Sequence, residues 1–313
     1  MMDKVKSMEL TTTAYPPVWQ SAISEYPLFS RGKVRDVYDL GKHLLIVATD
    51  RLSAFDVVID DPIPGKGEVL NRMSEFWFNL TADVVPNHMV TTNVDAFPEK
   101  LYHHRAMLNG RSMLVRKLKR IDIECVARAY IAGSLWQEYR QKLAHSAAGP
   151  IELLGFEFPR DLQLSQRLPQ VIFTPATKAA EGHDQNISYQ QLIADIGENL
   201  AEQLRRTTIE VFTKCSQHAE RRGIILADTK FEFGLDGDTV VLIDEICSPD
   251  SSRFWPGDEY EVGRSQKSFD KQGVRDYLES TGWDKTPPAP RLPSEVIRAT
   301  SERYAEALRR LIG

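Results

Sequence analysis

The chain has 313 residues, 42% of them hydrophobic, and a formal net charge of −5 at pH 7 with both signs interspersed. That is enough apolar content to bury a sizeable core, which excludes a disordered chain, and the length favours two domains or one domain with a lobe. The charge supplies no basic field for nucleic acid, and apolar runs such as Leu44 to Ala48 are far too short to cross a bilayer. The start of the chain lacks the apolar stretch of a signal peptide, and three cysteines (Cys125, Cys215, Cys247) lie far apart without CxxC spacing. These features predict a cytoplasmic protein with reduced thiols, acting on small molecules as a monomer or small homo-oligomer.

After a polar arm with Pro16-Pro17, RGKVRDVYDLGKHLLIVATD predicts a hairpin, residues 34 to 40 and 43 to 48, around Gly41-Lys42. Gly32 permits close backbone approach, and Lys33 and Arg35 share a strand face, so a nucleotide polyphosphate fits under this hairpin; a solvated basic edge strand fits equally well. ATDRLSAFD is polar where the chain leaves the sheet, a place for a ligand loop. IPGKGEVLNRMSEFWFNL puts Gly65, Lys66 and Gly67 before an amphipathic helix bearing Leu70, Met73, Trp77 and Leu80, offering amides and an ammonium to an anion. Neither GxxxxGK[ST] nor GxGxxG occurs, so P-loop and Rossmann signatures are missing.

Residues 113 to 117 predict another strand, and RKLKR links an N-terminal β-rich lobe (1–118) to a central α+β lobe (119–262), with the boundary at Leu118 and a C-terminal helical segment (263–313) beyond. Residues 121 to 129 alternate as a strand, Gly133 breaks it, and Ser134 with Gln137 resembles a capping box for SLWQEYRQKL. Arg128 beside that helix start makes a phosphate site; the competing expectation pairs Arg128 with Glu124 on the same strand face. Residues 146 to 187 show few periodic features. FTPATKAAEGHDQNIS is a polar loop, with Lys178, His183 and Asp184 exposed, of a kind that closes over substrates. His183 and His103-His104 lack a second ligand at metal spacing and are surface residues. Ser188 and Gln191 then start a helical region whose Leu192, Ile196, Leu200, Leu204, Phe212 and Cys215 pack a core, ending by Gly223.

The rest of the chain is organised around IILADTKFEFGLDGDTVVLIDEICSPD, residues 224 to 250. Phe231, Phe233 and Leu235 alternate with Lys230, Glu232 and Gly234, residues 239 to 243 form the return strand, and Asp236-Gly237 signals the turn. Strand alternation then puts Asp228, Lys230 and Glu232 on one side. A two-residue turn at Asp236-Gly237 pairs Asp228 with Glu245, and a three-residue turn pairs Lys230 with Asp244. Either way two or three hard oxygen ligands converge, which suits Mg²⁺ carried with nucleotide phosphates better than Zn²⁺ and predicts a Mg·ATP enzyme; a solvated outer sheet face is the bland alternative. Beyond it, SPDSSRFWP places Ser251, Ser252 and Arg253 beside the carboxylates, and SFDKQGVRDYL adds Lys271, Gln272 and Arg275 as anion contacts. TPPAPRLP is a stiff linker, and Ser294 caps a last helix with Ile297, Tyr304, Leu308 and Leu311 on one stripe.

Taken together, GKVRDVYDL, ATDRLSAFD, IPGKGEVLN, ARAYIAGSLW, FTPATKA, ADTKFEFG, IDEICSPDSSRFW and SFDKQGVRDYL closely resemble the SAICAR synthetase family of purine biosynthesis, from about Arg31 to Leu278, in the longer form found in fungi and many bacteria. One departure is Gly273, where the family pattern has a bulky residue. The resemblance implies an α+β, ATP-grasp-related two-lobed fold. It also implies an ATP-dependent ligation of the carboxylate of carboxyaminoimidazole ribonucleotide (CAIR) to the amino group of L-aspartate. By the same resemblance Glu232 and Asp244 bind Mg²⁺, while Gly32, Lys33, Arg35, Lys117 and Leu118 hold ATP. Arg128, Ser134 and Arg253 hold the ribonucleotide, with Lys178, Lys271, Gln272 and Arg275 as further substrate contacts. Asp228 and Lys230 position the imidazole and carboxylate. A small-molecule kinase is the alternative from another reaction class, although no HRDxxxxN stretch supports it, and a non-catalytic nucleotide sensor is a third.

Overall fold

The computed structural model describes residues 15–177 and 185–313, so Lys178, His183 and Asp184 lie outside the described residues. Two antiparallel sheets organise the chain. The first has five strands in the order Leu28–Arg31, Arg35–Asp39, His43–Ala48, Ser112–Arg116 and Met89–Thr91. Its second and third strands form the expected hairpin, with Gly41 at φ 82 in the turn. The chain crosses to the second sheet between Arg116 and Lys119.

The second sheet is built on Ile224–Asp236, a strand of 13 residues. It pairs with Ile123–Tyr130 and Lys119–Arg120, and with Ser252–Pro256 and Thr239–Ile243. Period-two alternation sends Phe231 and Phe233, both 0% exposed, into the core under the helix Glu198–Arg221, where Leu204, Phe212 and Cys215 meet them. Each such buried side chain contributes about 1.5–3 kcal/mol of hydrophobic stabilisation. The opposite face carries Asp228, Lys230 and Glu232, as the alternation predicts. The three cysteines are free and buried.

Several local expectations fail. The central hairpin adopts neither predicted register: Asp236 pairs with Thr239 and Glu232 with Ile243, so the two-residue turn is Gly237-Asp238. Gly237 takes φ 59 at the first turn position, where glycine is favoured, and this moves the turn one residue along. Ser134 does not cap its helix, because Gly133–His145 starts one residue earlier with Ala132 at the cap and no side-chain cap bond. Ser294 likewise lies inside the helix Ser294–Ile312, capped by Pro293. Ser188 does cap Tyr189–Ile196, accepting from the Gln191 amide at 3.1 Å. Residues 146 to 187 hold a hairpin, Ile151–Leu153 with Phe156–Phe158, and the strand Arg167–Phe173. The hairpin turn Leu154-Gly155, with φ 55 and 84, is a signal the short apolar runs obscure.

The Lys66 ammonium and the Gly67 amide are both taken by internal carboxylates, not left for an external anion. Lys66 opens the helix Lys66–Leu80 with its side chain 0% exposed and paired to Asp250, and the Gly67 amide donates to Asp50 Oδ1 at 2.9 Å. Helix amides are anion sites only while no internal carboxylate takes them. The helix Ser294–Ile312 packs on Lys66–Leu80 and on Gln272–Ser280, so the C-terminal segment is held both to itself and to the N-terminal part of the chain. Among the described residues no helix is long and apolar enough to cross a membrane.

Candidate active site

A cavity of about 980 Å³ opens between the two sheets. Gly32, Lys33 and Arg35 line it from the first sheet; Lys230, Glu232, Asp244 and Glu245 from the central hairpin; Lys271, Gln272 and Arg275 from the start of the helix Gln272–Ser280. A second cavity of about 620 Å³ shares Lys230, Asp250, Arg253 and Lys271 and adds Arg128, Asp228 and Asp270. Ser134 lines both.

The first end is shaped by a residue the sequence did not single out. Arg51, 4% exposed, donates to the carbonyls of Gly32 (2.9 Å), Lys33 (3.0 Å) and Trp19 (2.6 Å) and to Asp36 Oδ1 (2.9 Å). Its fork fixes the loop that presents Lys33, so ATDR is scaffold, while Ser53, Phe55 and Asp56 beyond it line the cavity. Lys33 Nζ meets Asp56 Oδ1 at 2.5 Å, with both side chains about half exposed. An added Cβ at Gly32 meets nothing nearer than the Arg35 carbonyl at 3.6 Å, so room remains on the cavity side.

Arg35 reaches across to the hairpin, its Nη2 lying 2.7 Å from Asp244 Oδ2 and 3.6 Å from Glu245 Oε1. Burial disfavours its charge, but Asp244, Glu245 and Glu232 outweigh that and hold its pKa above the usual arginine value. Both Asp244 and Glu245 therefore reach the cavity, because Asp244 leaves the strand at φ 67 and breaks the alternation.

At the other end, three neighbouring strands set Arg128, Asp228 and Arg253 side by side. Asp228 is in register with Arg128 on one neighbour and Arg253 on the other. Arg128 donates to Asp228 (3.2 Å), Thr174 Oγ1 (2.9 Å) and Ser134 Oγ (3.3 Å), and Arg253 also pairs with Asp228. The competing expectation of an Arg128 to Glu124 pair is therefore wrong: Glu124 instead takes Lys230 Nζ at 2.8 Å, the diagonal contact across the strand pair. Burial lowers the Arg128 pKa against the pull of Asp228, whereas Asp228 raises that of Arg253. For Lys230, burial works against the ammonium, but Glu124, Glu232 and Glu245 prevail and its pKa is raised.

Lys271 is the opposite case. Burial lowers its pKa, Arg275 and Lys66 reinforce the effect, and Asp250 and Glu245 only partly offset it. Asp250, also missed from sequence, lines both cavities, and its position three residues before Arg253 in IDEICSPDSSRFW was the available signal. Lys117 and Leu118 are not in the wall of either cavity: Lys117 Nζ pairs with Asp39 at 2.6 Å, and Leu118 sits against Gly234 at the crossover between sheets.

A family model described as SAICAR synthetase matches residues 28–290. The chain belongs to the SAICAR synthetase family. The phosphoribosylaminoimidazole-succinocarboxamide synthase of Syntrophobacter fumaroxidans is 51% identical over 287 residues, covering 91% of this chain and 93% of that one. That of Geotalea uraniireducens is 50% identical over 287 residues, covering 91% and 94%. A solved SAICAR synthase from Saccharomyces cerevisiae, complexed with SAICAR, superposes with TM-score 0.84 at 39% identity over 94% of this chain and 97% of that one. The ATP-grasp-related α+β fold implied by the sequence motifs is the one observed. As a SAICAR synthetase the chain is an ATP-dependent ligase of purine biosynthesis, joining the carboxylate of CAIR to the amino group of L-aspartate, and the kinase alternative falls away.

Proposed function

We propose that the two cavities form one reaction chamber with a nucleotide end and a ribonucleotide end. The observation that carries this is that Lys33 and Arg35 line only the larger cavity and Arg128 only the smaller one, while Lys230 and Arg253 line both. Lys33 and the loop at Gly32 take the ATP phosphates, and the base extends past the wall of the larger cavity toward the crossover at Lys117 and Leu118. Arg128, Ser134 and Arg253 take the 5′-phosphate of CAIR. Lys271, Gln272 and Arg275 face the remaining substrate carboxylates, and Asp228 and Lys230 hold the imidazole and the reacting carboxylate between the two ends.

A carboxylate resists an amine until one oxygen becomes a leaving group. In this chamber the CAIR carboxylate oxygen attacks the γ-phosphorus, the bond to the bridging oxygen breaks and ADP departs, leaving an acyl phosphate. The aspartate amine, having lost a proton, attacks the acyl carbon and phosphate leaves. Lys230 stays charged beside the carboxylate throughout, and Arg35 offsets the carboxylates around the phosphates.

The residues present fit Mg²⁺. Among the described residues no group of three or more His, Cys, Asp or Glu is placed to hold a metal alone. Glu232 and Asp244 nevertheless put two hard carboxylates on the nucleotide end, and Mg²⁺ takes one or two carboxylates plus phosphate oxygens. We assign those two residues to it; when bound, the ion neutralises charge on the transferring phosphoryl group.

The lobes proposed with this chamber are 1–118, 119–262 and 263–313, in a cytoplasmic monomer or small homo-oligomer that needs no nucleic acid or membrane. A coupled ADP assay with each substrate omitted in turn tests the chemistry. Steady-state ADP release is expected to need CAIR and aspartate together, because only the amine turns the acyl phosphate over, and continuous release fully independent of aspartate overturns the proposal.

A further inference from the structure

The loop joining Thr239–Ile243 to Ser252–Pro256 brings Asp244, Glu245, Asp250 and Ser251 to the cavity wall. Two of its non-glycine residues, Asp244 at φ 67 and Cys247 at φ 43, hold left-handed backbone conformations. Such conformations cost energy and persist only where the surroundings enforce them. Three side chains from distant elements supply that enforcement. Trp77 Nε1 donates to the Cys247 carbonyl at 3.0 Å, Lys66 Nζ to Asp250 Oδ2 at 2.6 Å, and the Tyr304 hydroxyl to Asp250 Oδ1 at 2.8 Å.

Both carboxylate oxygens of Asp250 are thus held from opposite sides. Lys66 and Tyr304 are 0% exposed, so neither contact is loosened by solvent. Burial, then Asp250, raises the Tyr304 pKa well above that of an ordinary phenol, which keeps its proton available for donation. Tyr304 lies on Ser294–Ile312, beyond the residues 28–290 that the family model matches. That helix is seated independently by Ser301 Oγ on the Pro64 carbonyl at 2.7 Å.

We propose that Tyr304 is a positioning residue for the ligation: the C-terminal helix clamps Asp250 against Lys66 and so fixes the loop that aims Asp244 and Glu245 at the nucleotide. This rests on the assignment of that loop to the nucleotide end.

The test compares Tyr304→Phe with Leu308→Ala, a buried packing change on the same helix at a side chain with no polar atom to hold Asp250. In the coupled assay Tyr304→Phe is expected to lose about ten-fold in kcat, the effect of one lost anchoring hydrogen bond behind the site, with KM for CAIR near wild type and a smaller fall in melting temperature than Leu308→Ala. Leu308→Ala is expected to melt lower with kcat intact. Wild-type kcat in Tyr304→Phe overturns the proposal, as does a loss of kcat that simply tracks the melting temperature in both variants. If Tyr304→Phe does not fold, Asp250→Asn gives the same readout, and wild-type kcat there is equally fatal. If neither folds, Tyr304 is purely structural and the proposal fails. Turnover by the wild-type enzyme reports separately on the ligase chemistry, and only the variant ratio reports on the clamp.

Discussion

Arg128 lies directly across from Asp228 on the adjacent antiparallel strand, and its Nη1 donates to Asp228 Oδ2 at 3.2 Å. The two residues expected to hold different parts of one substrate therefore also hold each other. Asp228 keeps Arg253 as a second partner when Arg128 is removed, so Arg128→Ala leaves no isolated buried anion and should fold. Its KM for CAIR should rise about ten- to hundredfold, the usual range for a charge-assisted hydrogen bond, with KM for ATP unchanged and Arg128→Lys recovering part. Because Glu124 pairs with Lys230 and not with Arg128, the stability effects of Arg128→Ala and Glu124→Ala should add, whereas those of Arg128→Ala and Asp228→Asn should not. Thermal melts of the single and double variants check this.

Gly133→Ala tests the same end without touching a charge. Gly133 has φ 56, and a Cβ there would fall 2.0 Å from Arg253 Nη2. The guanidinium has to move away from its place over the helix start. CAIR affinity should fall in steady-state kinetics while KM for ATP holds.

Lys33→Ala should raise KM for ATP and leave those for aspartate and CAIR nearly unchanged, since it pairs with Asp56 in a half-exposed contact that holds no other part of the site. Exposed pairs contribute little to folding, so the melting temperature should barely move. Effects confined to aspartate would relocate this loop to the aspartate site.

Glu232→Gln and Asp244→Asn should each lower kcat/KM for ATP by about ten- to hundredfold, one hard anionic ligand being lost, and the deficit should deepen when Mg²⁺ is limiting. Titrating Mg²⁺ at fixed ATP shows this. Identical Mg²⁺ dependence in wild type and both variants would remove them from the metal assignment.

Lys271 supplies a pH dependence. Its folded pKa is lowered, chiefly by burial, from an unfolded value of 10.5. Between the folded value and 10.5 the unfolded chain binds more protons, so stability rises with pH across that window and the full penalty stands below it. Lys271→Met should melt above wild type near neutrality, and the gap should shrink as the pH approaches that of the free amine. A gap constant with pH would show that the charge is not the cause.

The central strand was legible because period-two alternation with two phenylalanines on one side and three charges on the other has few other solutions. Arg128, Arg253 and Lys230 were recognisable from their motifs. Their partners were not, because pairing across strands depends on register, and the register turned on which residue of LDGD adopts positive φ. Lys66 was misread because nothing local marks a lysine whose counter-ion lies 184 residues away. Arg51 is hidden for the same reason: its hydrogen bonds run to the backbone of Trp19, Gly32 and Lys33 and make no local pattern.

Gly273, a departure from the pattern that the resemblance implies, lies where a neighbouring side chain fills the space. A Cβ built there would fall 2.0 Å from Arg303 Nη1, a guanidinium projecting from the C-terminal helix. The missing bulk on one helix is thus supplied by the neighbouring helix. A phenylalanine at 273 should turn the exposed Arg303 guanidinium out into solvent rather than part the helices, so the melting temperatures of Gly273→Phe and of Gly273→Phe with Arg303→Ala should be close. What a large side chain at 273 would cost this chain is therefore the place of one arginine head, not the seat of its C-terminal helix.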